Sequence, residues 1–203
     1  MRLLILFAHP SLEKSRVHSR LITRVPESPN ITLHDLYEAY PAYDVDVARE
    51  QKLLVEHDLY VLQHPFFWYS VPPLLKQWID LVLEHGWAYG SEGTALRGKR
   101  MLSVISAGGR ASAYQEGGYN RYTIRQLLAP VEQTVRLCGI DYLPPYVIHG
   151  THRLSIDDIE REAERYERVL RYLSESADDL AELAGAEYAN DYLTKKALEG
   201  ATQ

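Results

Sequence analysis

The chain has 203 residues, 46% of them hydrophobic and 25% charged, and a net charge of −6 at neutral pH. That length suits one sizeable core and is short for two, and the negative charge gives nucleic-acid binding no electrostatic support. The single cysteine, Cys138, excludes a disulfide within the chain and suits a cytoplasmic setting; in the apolar pattern VRLCGI it reads as a buried small hydrophobe rather than a reactive thiol.

The first segment, RLLILFAH, is apolar throughout and closes on His9-Pro10. Its apolar run, Leu3 to Ala8, is too short for a signal-peptide core or a membrane span. It reads as a strand buried on both faces. A helix is predicted from near Ser15 to the break at Pro26. NITLHDLY reads as a second strand, and DVDVAREQKLLVEHD as a helix capped by Asp46. LYVLQH is a third strand and runs into four consecutive rings, Phe66-Phe67-Trp68-Tyr69. Neighbouring residues of an extended chain point to opposite faces, so these rings cannot all enter one core. Some stay exposed or meet something flat.

Val71, Leu74, Leu75, Trp78, Ile79 and Val82 then recur at helical spacing, with Pro72 and Pro73 where a helix start tolerates proline. KRMLSVISAGG is a fourth strand ending in Gly108-Gly109. TIRQLLAPVEQTVRLCG reads as helix interrupted at Pro130. YLPPYVIHG is a fifth strand, and a long amphipathic helix runs from Ser155 to about Ser174. Its stretch IEREAERYERVLRY reads as a solvated face laced by ion pairs.

Strands alternating with helices predict an α/β fold: a flavodoxin-like three-layer sandwich with a five-stranded parallel sheet in the order 2-1-3-4-5. Ligands of such sheets bind beyond the carboxyl ends of the strands. That rule selects AHPSLEKSRVH, QHPFFWYSVPP and ISAGGRASAYQEGG. The first lacks both a dinucleotide glycine fingerprint and a Walker loop. Ser15 there either caps its helix or adds a hydroxyl to an anion site, with Arg16 or His18 beside it. Gly108-Gly109 is either a plain turn or a place where backbone approaches a ligand. The aromatic run is a ligand wall, a protein-binding patch, or both. A phosphate at the first loop and a flat ring between the other two would satisfy all three, and flavin mononucleotide (FMN) has that shape. The histidines of HGTH, His149 and His152, read as a solvated loop without a third metal ligand, so no metal site is expected.

At these residues the sequence resembles the flavodoxin-like NAD(P)H:quinone reductases. AHPSLEKS, QHPFFWYSVPPLLKQWID, HGWAYG, LRGK and ISAGG carry the likeness over about Met1 to Ser174. HDLYEAYPAYDVDVAREQ and LPPYVIH point to the ancillary flavoproteins of glutathione-gated potassium efflux systems. The resemblance implies a homodimer with a flavin at each interface, FMN or alternatively FAD, and two-electron reduction of quinones by NADPH or NADH in a ping-pong cycle. It places the phosphate at His9 and Ser15, Arg16, Val17 and His18. It places the ring against Phe66, Phe67, Trp68 and Tyr69, with Ser106, Ala107, Gly108 and Gly109 opposite.

Three departures stand out. His18 replaces an asparagine frequent in the family. Tyr114 matches a tyrosine that neutralises the reduced flavin in animal quinone reductases, but Asn120 occupies the place of its partner histidine and cannot take up a proton at neutral pH. The third is length: beyond a flavin-binding domain spanning residues 1–175, the segment 176–203 continues as a tail whose NDYLTKK resembles that of longer quinone reductases. Tyr188, Tyr192 and Leu193 are apolar enough to dock it near a dimer active site. The chain is thus expected to be a reductase of quinones or similar electrophiles. The alternative is a regulatory subunit at the inner face of the membrane, in peripheral contact with a potassium efflux protein. A one-electron flavodoxin fits less well, because the loops lack a strongly acidic flavin surround.

Overall fold

The computed structural model describes residues 1–175 and 180–200; the remainder of the expected tail, 176–179 and 201–203, lies outside the described residues. The N-terminal apolar run forms β1 (Leu3–Phe7), with every residue buried. It is flanked in parallel by β2 (Ile31–Asp35) and β3 (Leu59–Pro65), Leu3 standing opposite both Ile31 and Leu59. β3 pairs with β4 (Arg100–Ala107). The fifth strand is split by Pro144-Pro145 into β5 (Asp141–Tyr142) and β6 (Tyr146–His149), both parallel to β4. Proline has no N–H to continue a ladder, which accounts for the break. The order is therefore the expected 2-1-3-4-5, with the last place shared.

The two-residue alternation of β1 builds two cores. Leu4 and Leu6 face one layer: α2 (Leu36–Ala39), α3 (Val47–Glu56), α4 (Pro73–Val82), α5 (Ile124–Leu127) and α6 (Ala129–Leu137). Leu3, Ile5 and Phe7 face the other: α1 (His18–Thr23), α7 (Ile156–Glu175) and α8 (Asn190–Gly200). The helix starts follow the sequence chemistry. The Asp46 carboxylate accepts the Arg49 N–H at 3.0 Å, Pro73 opens α4, and Thr123 with Gln126 forms a reciprocal capping box at α5. α1 begins at His18 rather than near Ser15. Leu12–Lys14 is a separate 3-10 turn, and Ser15 Oγ accepts the His18 N–H at 3.0 Å. The solvated face of α7 carries the expected pairs, Arg161–Asp158 at 2.5 Å and Arg165–Glu162 at 2.8 Å. Cys138 is buried, and burial raises its thiol pKa.

Residues 180–200 pack on the α7 side of the sheet. Leu180, Leu183, Ala189 and Leu193 are buried there. The Asn190 side chain takes the Val147 N–H at 2.8 Å and donates to the Val147 carbonyl at 3.0 Å. One amide thus answers both backbone groups at the free edge of β6, which would otherwise offer a template for pairing.

Candidate functional site

Three backbone bonds gather the strand ends into one edge: Ala8 N to Gln63 O, Phe66 N to Ser106 O, and Gly150 N to Gly109 O, each 2.9 Å. They bring together the loops after β1, β3, β4 and β6. A cavity of about 350 Å³ opens there, lined by His9, Lys14, Ser15, Arg16 and Val17 at one end and by Phe67 and Ser106 at the other.

In the first loop, His9 Nδ1 accepts the Ser11 N–H at 3.1 Å. The Arg16 guanidinium reaches the carbonyls of Thr151 at 3.3 Å and Leu154 at 2.7 Å, tying this loop to the one after β6. His18 is fully buried and turned into the protein. Its Nε2 meets Ser106 Oγ at 2.9 Å and its Nδ1 meets Gln63 Nε2 at 3.4 Å, while Tyr166 donates to Gln63 Oε1 at 2.7 Å. Burial, then the neighbouring His9 and His64, hold the His18 pKa well below its usual value. A neutral ring accepts from Gln63 and donates to Ser106, so His18 is a post beneath the cavity, not one of its lining residues. Lys14 and Thr151 do line it; neither was singled out in the sequence, although the charge of Lys14 in a phosphate-type loop was a usable signal.

The aromatic run is resolved by a tight turn. Ser70 N donates to Phe67 O at 3.0 Å, and the central residues Trp68 and Tyr69 have φ of 49° and 63°. Left-handed backbone at both positions belongs to primed hairpin turns, which favour glycine and asparagine. Holding two aromatics there costs about 1–2 kcal/mol each. Phe66 turns inward onto Tyr69 and Tyr114, at ring separations of 6.4 and 6.1 Å. Phe67 meets the His9 ring edge-on at 5.9 Å. Trp68 is 92% exposed.

Across from this turn, β4 ends in bare backbone. Ala107 is buried in the core, leaving only its main chain to a ligand. A Cβ on Gly109 would stand 2.9 Å from the Tyr114 ring, and one on Gly108 2.6 Å from His152 Nε2. Tyr114 is buried, its pKa raised by desolvation and by Tyr69 and partly lowered by hydrogen bonds from the Gly109 backbone and Asn120. Asn120 also accepts from the Tyr69 hydroxyl at 3.3 Å. His64, at the end of β3, is fully buried. Its Nδ1 contacts Pro65 O at 3.0 Å, its Nε2 has no partner, and desolvation lowers its pKa to about 4.

HGTH divides. His152 is exposed, as a solvated loop requires. His149 is not: it ends β6, with both ring nitrogens buried among aromatic rings. The apolar neighbours that bury it, Tyr114 and Tyr188, lie far away in sequence, so no local pattern could show this. Among the described residues, no group of three or more His, Cys, Asp or Glu side chains is placed to hold a metal ion.

A family model described as a flavodoxin-like fold, Flavodoxin_2, matches residues 1–170. An uncharacterized NAD(P)H oxidoreductase of Bacillus subtilis, YrkL, is 46% identical over 81% of this chain and 95% of its own. The glutathione-regulated potassium-efflux system ancillary protein KefF of Klebsiella aerogenes is 39% identical over 83% of this chain and 94% of its own. Among solved structures, the general stress protein 14 of Treponema denticola, crystallised with FMN, superposes with a TM-score of 0.80 at 40% identity, covering 85% of this chain and 99% of that one. An NADPH-quinone reductase from P. pentosaceus gives a TM-score of 0.76 at 32% identity, covering 87% and 99%. A structure described as a thermophilic tryptophan halogenase gives 0.78 at 46% identity, covering 81% and 96%.

Proposed function

Because the chain belongs to the flavodoxin-like fold family Flavodoxin_2, we propose that it is a flavin-dependent NAD(P)H:quinone oxidoreductase. The observation that carries this reading is one cavity running from the Lys14–Val17 loop to Phe67 and Ser106, with a bare Gly108-Gly109 backbone beyond. These residues fit FMN: a basic, hydroxyl-bearing loop for the phosphate, and rings and side-chain-free backbone for the flat part. The relative crystallised with FMN supports the choice. FAD would have to run on into a neighbouring cavity of about 270 Å³ that shares Lys14, Ser15 and Arg16.

Bound flavin supplies two-electron hydride transfer, accepting from NADPH or NADH and delivering to a quinone in alternating turns. The chain does the rest. His9, Ser15, Arg16 and Val17 anchor the phosphate, with His18 holding their loop on Ser106 and Gln63. Phe67 would wall the ring and the turn through Trp68 and Tyr69 would edge it, with Phe66 packed inward to support that turn. The Gly108 backbone N–H and the Tyr114 hydroxyl, itself held by the Gly109 backbone and Asn120, would stabilise negative charge on a reduced ring bound there.

A second copy of the chain is the natural cover for exposed Trp68, Tyr119 and Tyr122, which are 92%, 91% and 56% accessible. The homodimer would place each cavity against its partner, with residues 180–200 docked nearby. Peripheral contact with a potassium efflux protein is the second reading, favoured by the 39% identity to KefF. No helix among the described residues is long and apolar enough to cross a membrane. The halogenase description stays with its own protein, because no residue of this chain argues for carbon–halogen chemistry.

The test uses purified protein. Flavin bands near ~450 nm, release of FMN by mass, bleaching by NADPH or NADH and recovery on adding a quinone are expected. A colourless protein that takes up no FMN would refute the reading.

A further inference from the structure

Many arginines of this chain are tied down. Arg20 and Arg24 pair with Glu160, and Arg125 with Glu132; Arg16 holds the carbonyls of Thr151 and Leu154. Arg121 differs. It is exposed, and its guanidinium has no hydrogen bond or ion pair among the described residues. Its backbone stands at a φ of 65°, which glycine would adopt without penalty, so the side chain there needs a reason of its own. The loop that carries it is firmly set. Arg121 N donates to Gly118 O at 3.0 Å and Asn120 N to Ala113 O at 2.9 Å, and a Cβ on Gly118 would stand 2.7 Å from Ser112 O. Arg121 borders a cavity of about 500 Å³ whose other walls are Tyr69, Tyr119, Asn120, Tyr122 and Leu127. That volume is in the ordinary range of small-molecule sites. The cavity adjoins the flavin region through shared side chains: Asn120 accepts from the Tyr69 hydroxyl at 3.3 Å and also bonds the Tyr114 hydroxyl.

Resting on the reductase reading above, we infer that this cavity holds the adenosine end of the nicotinamide nucleotide and that Arg121 binds its 2′-phosphate, so that the protein uses NADPH in preference to NADH. The nicotinamide must reach the flavin, so the rest of the nucleotide must leave along a wall beside that ring, and Tyr69 and Asn120 belong to both places. Adenine is flat, and Tyr119 and Tyr122, 91% and 56% exposed, offer rings for it to stack on. The 2′-phosphate is the only group that distinguishes the two nucleotides. A planar guanidinium meets a phosphate with two parallel hydrogen bonds, and an arginine near the ribose is the device by which dinucleotide folds accept this one. Arg121 has no bond to give up in turning to it. No carboxylate lines this cavity, whereas the cavity of about 600 Å³ behind β6 is lined by Glu162, Asp191 and Glu199 as well as by cations and would repel a phosphate. The second copy called for by the reductase reading would roof the site over its exposed rings.

Arg121→Gly suits the backbone and removes the guanidinium; Arg121→Lys keeps the charge without the fork. In the flavin-loaded protein, kcat/KM for NADPH is expected to exceed that for NADH about thirtyfold, the yield of one or two charge-assisted hydrogen bonds. In Arg121→Gly the ratio should fall to about one through a rise in the KM for NADPH, with Arg121→Lys in between. Calorimetry reads the site without turnover: adenosine 2′,5′-bisphosphate should bind the native protein about thirtyfold more tightly than adenosine 5′-monophosphate, and Arg121→Gly should bind the two alike. No preference in the native protein, or one that Arg121→Gly leaves in place, would overturn the inference alone. So would a loss confined to a sulfonated naphthoquinone acceptor, which would make Arg121 a quinone contact. So would a fall in dimer mass with the nucleotide preference intact, which would make the loop an interface between copies. A native protein that binds no flavin, or whose flavin neither nucleotide bleaches, would overturn the reading beneath it as well.

Discussion

Two buried polar side chains of this molecule are treated in opposite ways. Glu50 of α3 is fully buried and takes three donors: His34 Nε2 at 2.9 Å, the Tyr40 hydroxyl at 2.5 Å and Trp78 Nε1 at 2.8 Å. They come from β2, the end of α2 and α4, so one carboxylate joins the elements of a whole layer. His149, at the carboxyl edge of the sheet, has no such set of donors: its ring lies between Tyr114 and Tyr188, with only the Gly109 backbone to offset its desolvation. The same edge holds two aromatics in left-handed backbone and an orphan nitrogen on His64. Where no ligand comes, polar groups are fully satisfied and stiffen the fold. Unsatisfied and strained groups gather where a ligand is expected.

The largest effect should come from breaking the satisfied centre. Glu50→Ala strands three buried donors and is expected to cost about 3–5 kcal/mol, measured by urea unfolding, while the visible spectrum of what remains folded keeps its flavin bands. A smaller effect is expected at the edge: Gly109→Ala, whose Cβ would stand 2.9 Å from the Tyr114 ring, should weaken FMN binding by about tenfold, or 1.4 kcal/mol, in a fluorescence titration. Unchanged affinity would mean that the backbone there does not approach the ring.

The pH response should sharpen the contrast. His64 has its folded pKa depressed to about 4 from 6.5, so between those values the unfolded chain binds more protons and stability falls as pH falls through that window. His64→Gln should flatten that slope in thermal melts. Glu50 behaves differently. Burial raises its pKa, but His34, Tyr40 and Trp78 more than offset this and leave it below its usual value. Its contribution is fully present above the unfolded carboxylate value and is lost only as pH falls further, through the depressed folded value.

The smallest change runs in the opposite direction. Trp68→Gly relieves a residue held at a φ of 49° and should gain about 1 kcal/mol of stability, while FMN affinity or dimer mass falls. A variant that loses stability would show that the turn is not strained in the way its geometry indicates.

Much of this was legible in the sequence for physical reasons. The unbroken apolar run of β1 and the alternation of strands with helices fix a doubly covered parallel sheet, and Asp46, Pro73 and Thr123 mark helix starts by their own chemistry. The loop set was legible through the rule that ligands sit beyond strand ends. Tertiary choices were not. His18 reads as a ligand and is a buried post, because only the fold reveals that Ser106 and Gln63 lie beneath it. His149 reads as solvated because the two tyrosines enclosing it come from positions 114 and 188. The left-handed turn at Trp68-Tyr69 contradicts local preference outright, since aromatics do not announce positive φ.

The most direct test of the central claim is calorimetric titration of the cofactor-free chain with FMN, read alongside tryptophan emission. One FMN per chain, binding with a Kd of about 1 µM or tighter and quenching the exposed Trp68, is the predicted result. No heat and no quenching at FMN concentrations about a hundredfold higher would contradict it, and the strained aromatic turn would then have to be understood as a surface for a protein partner.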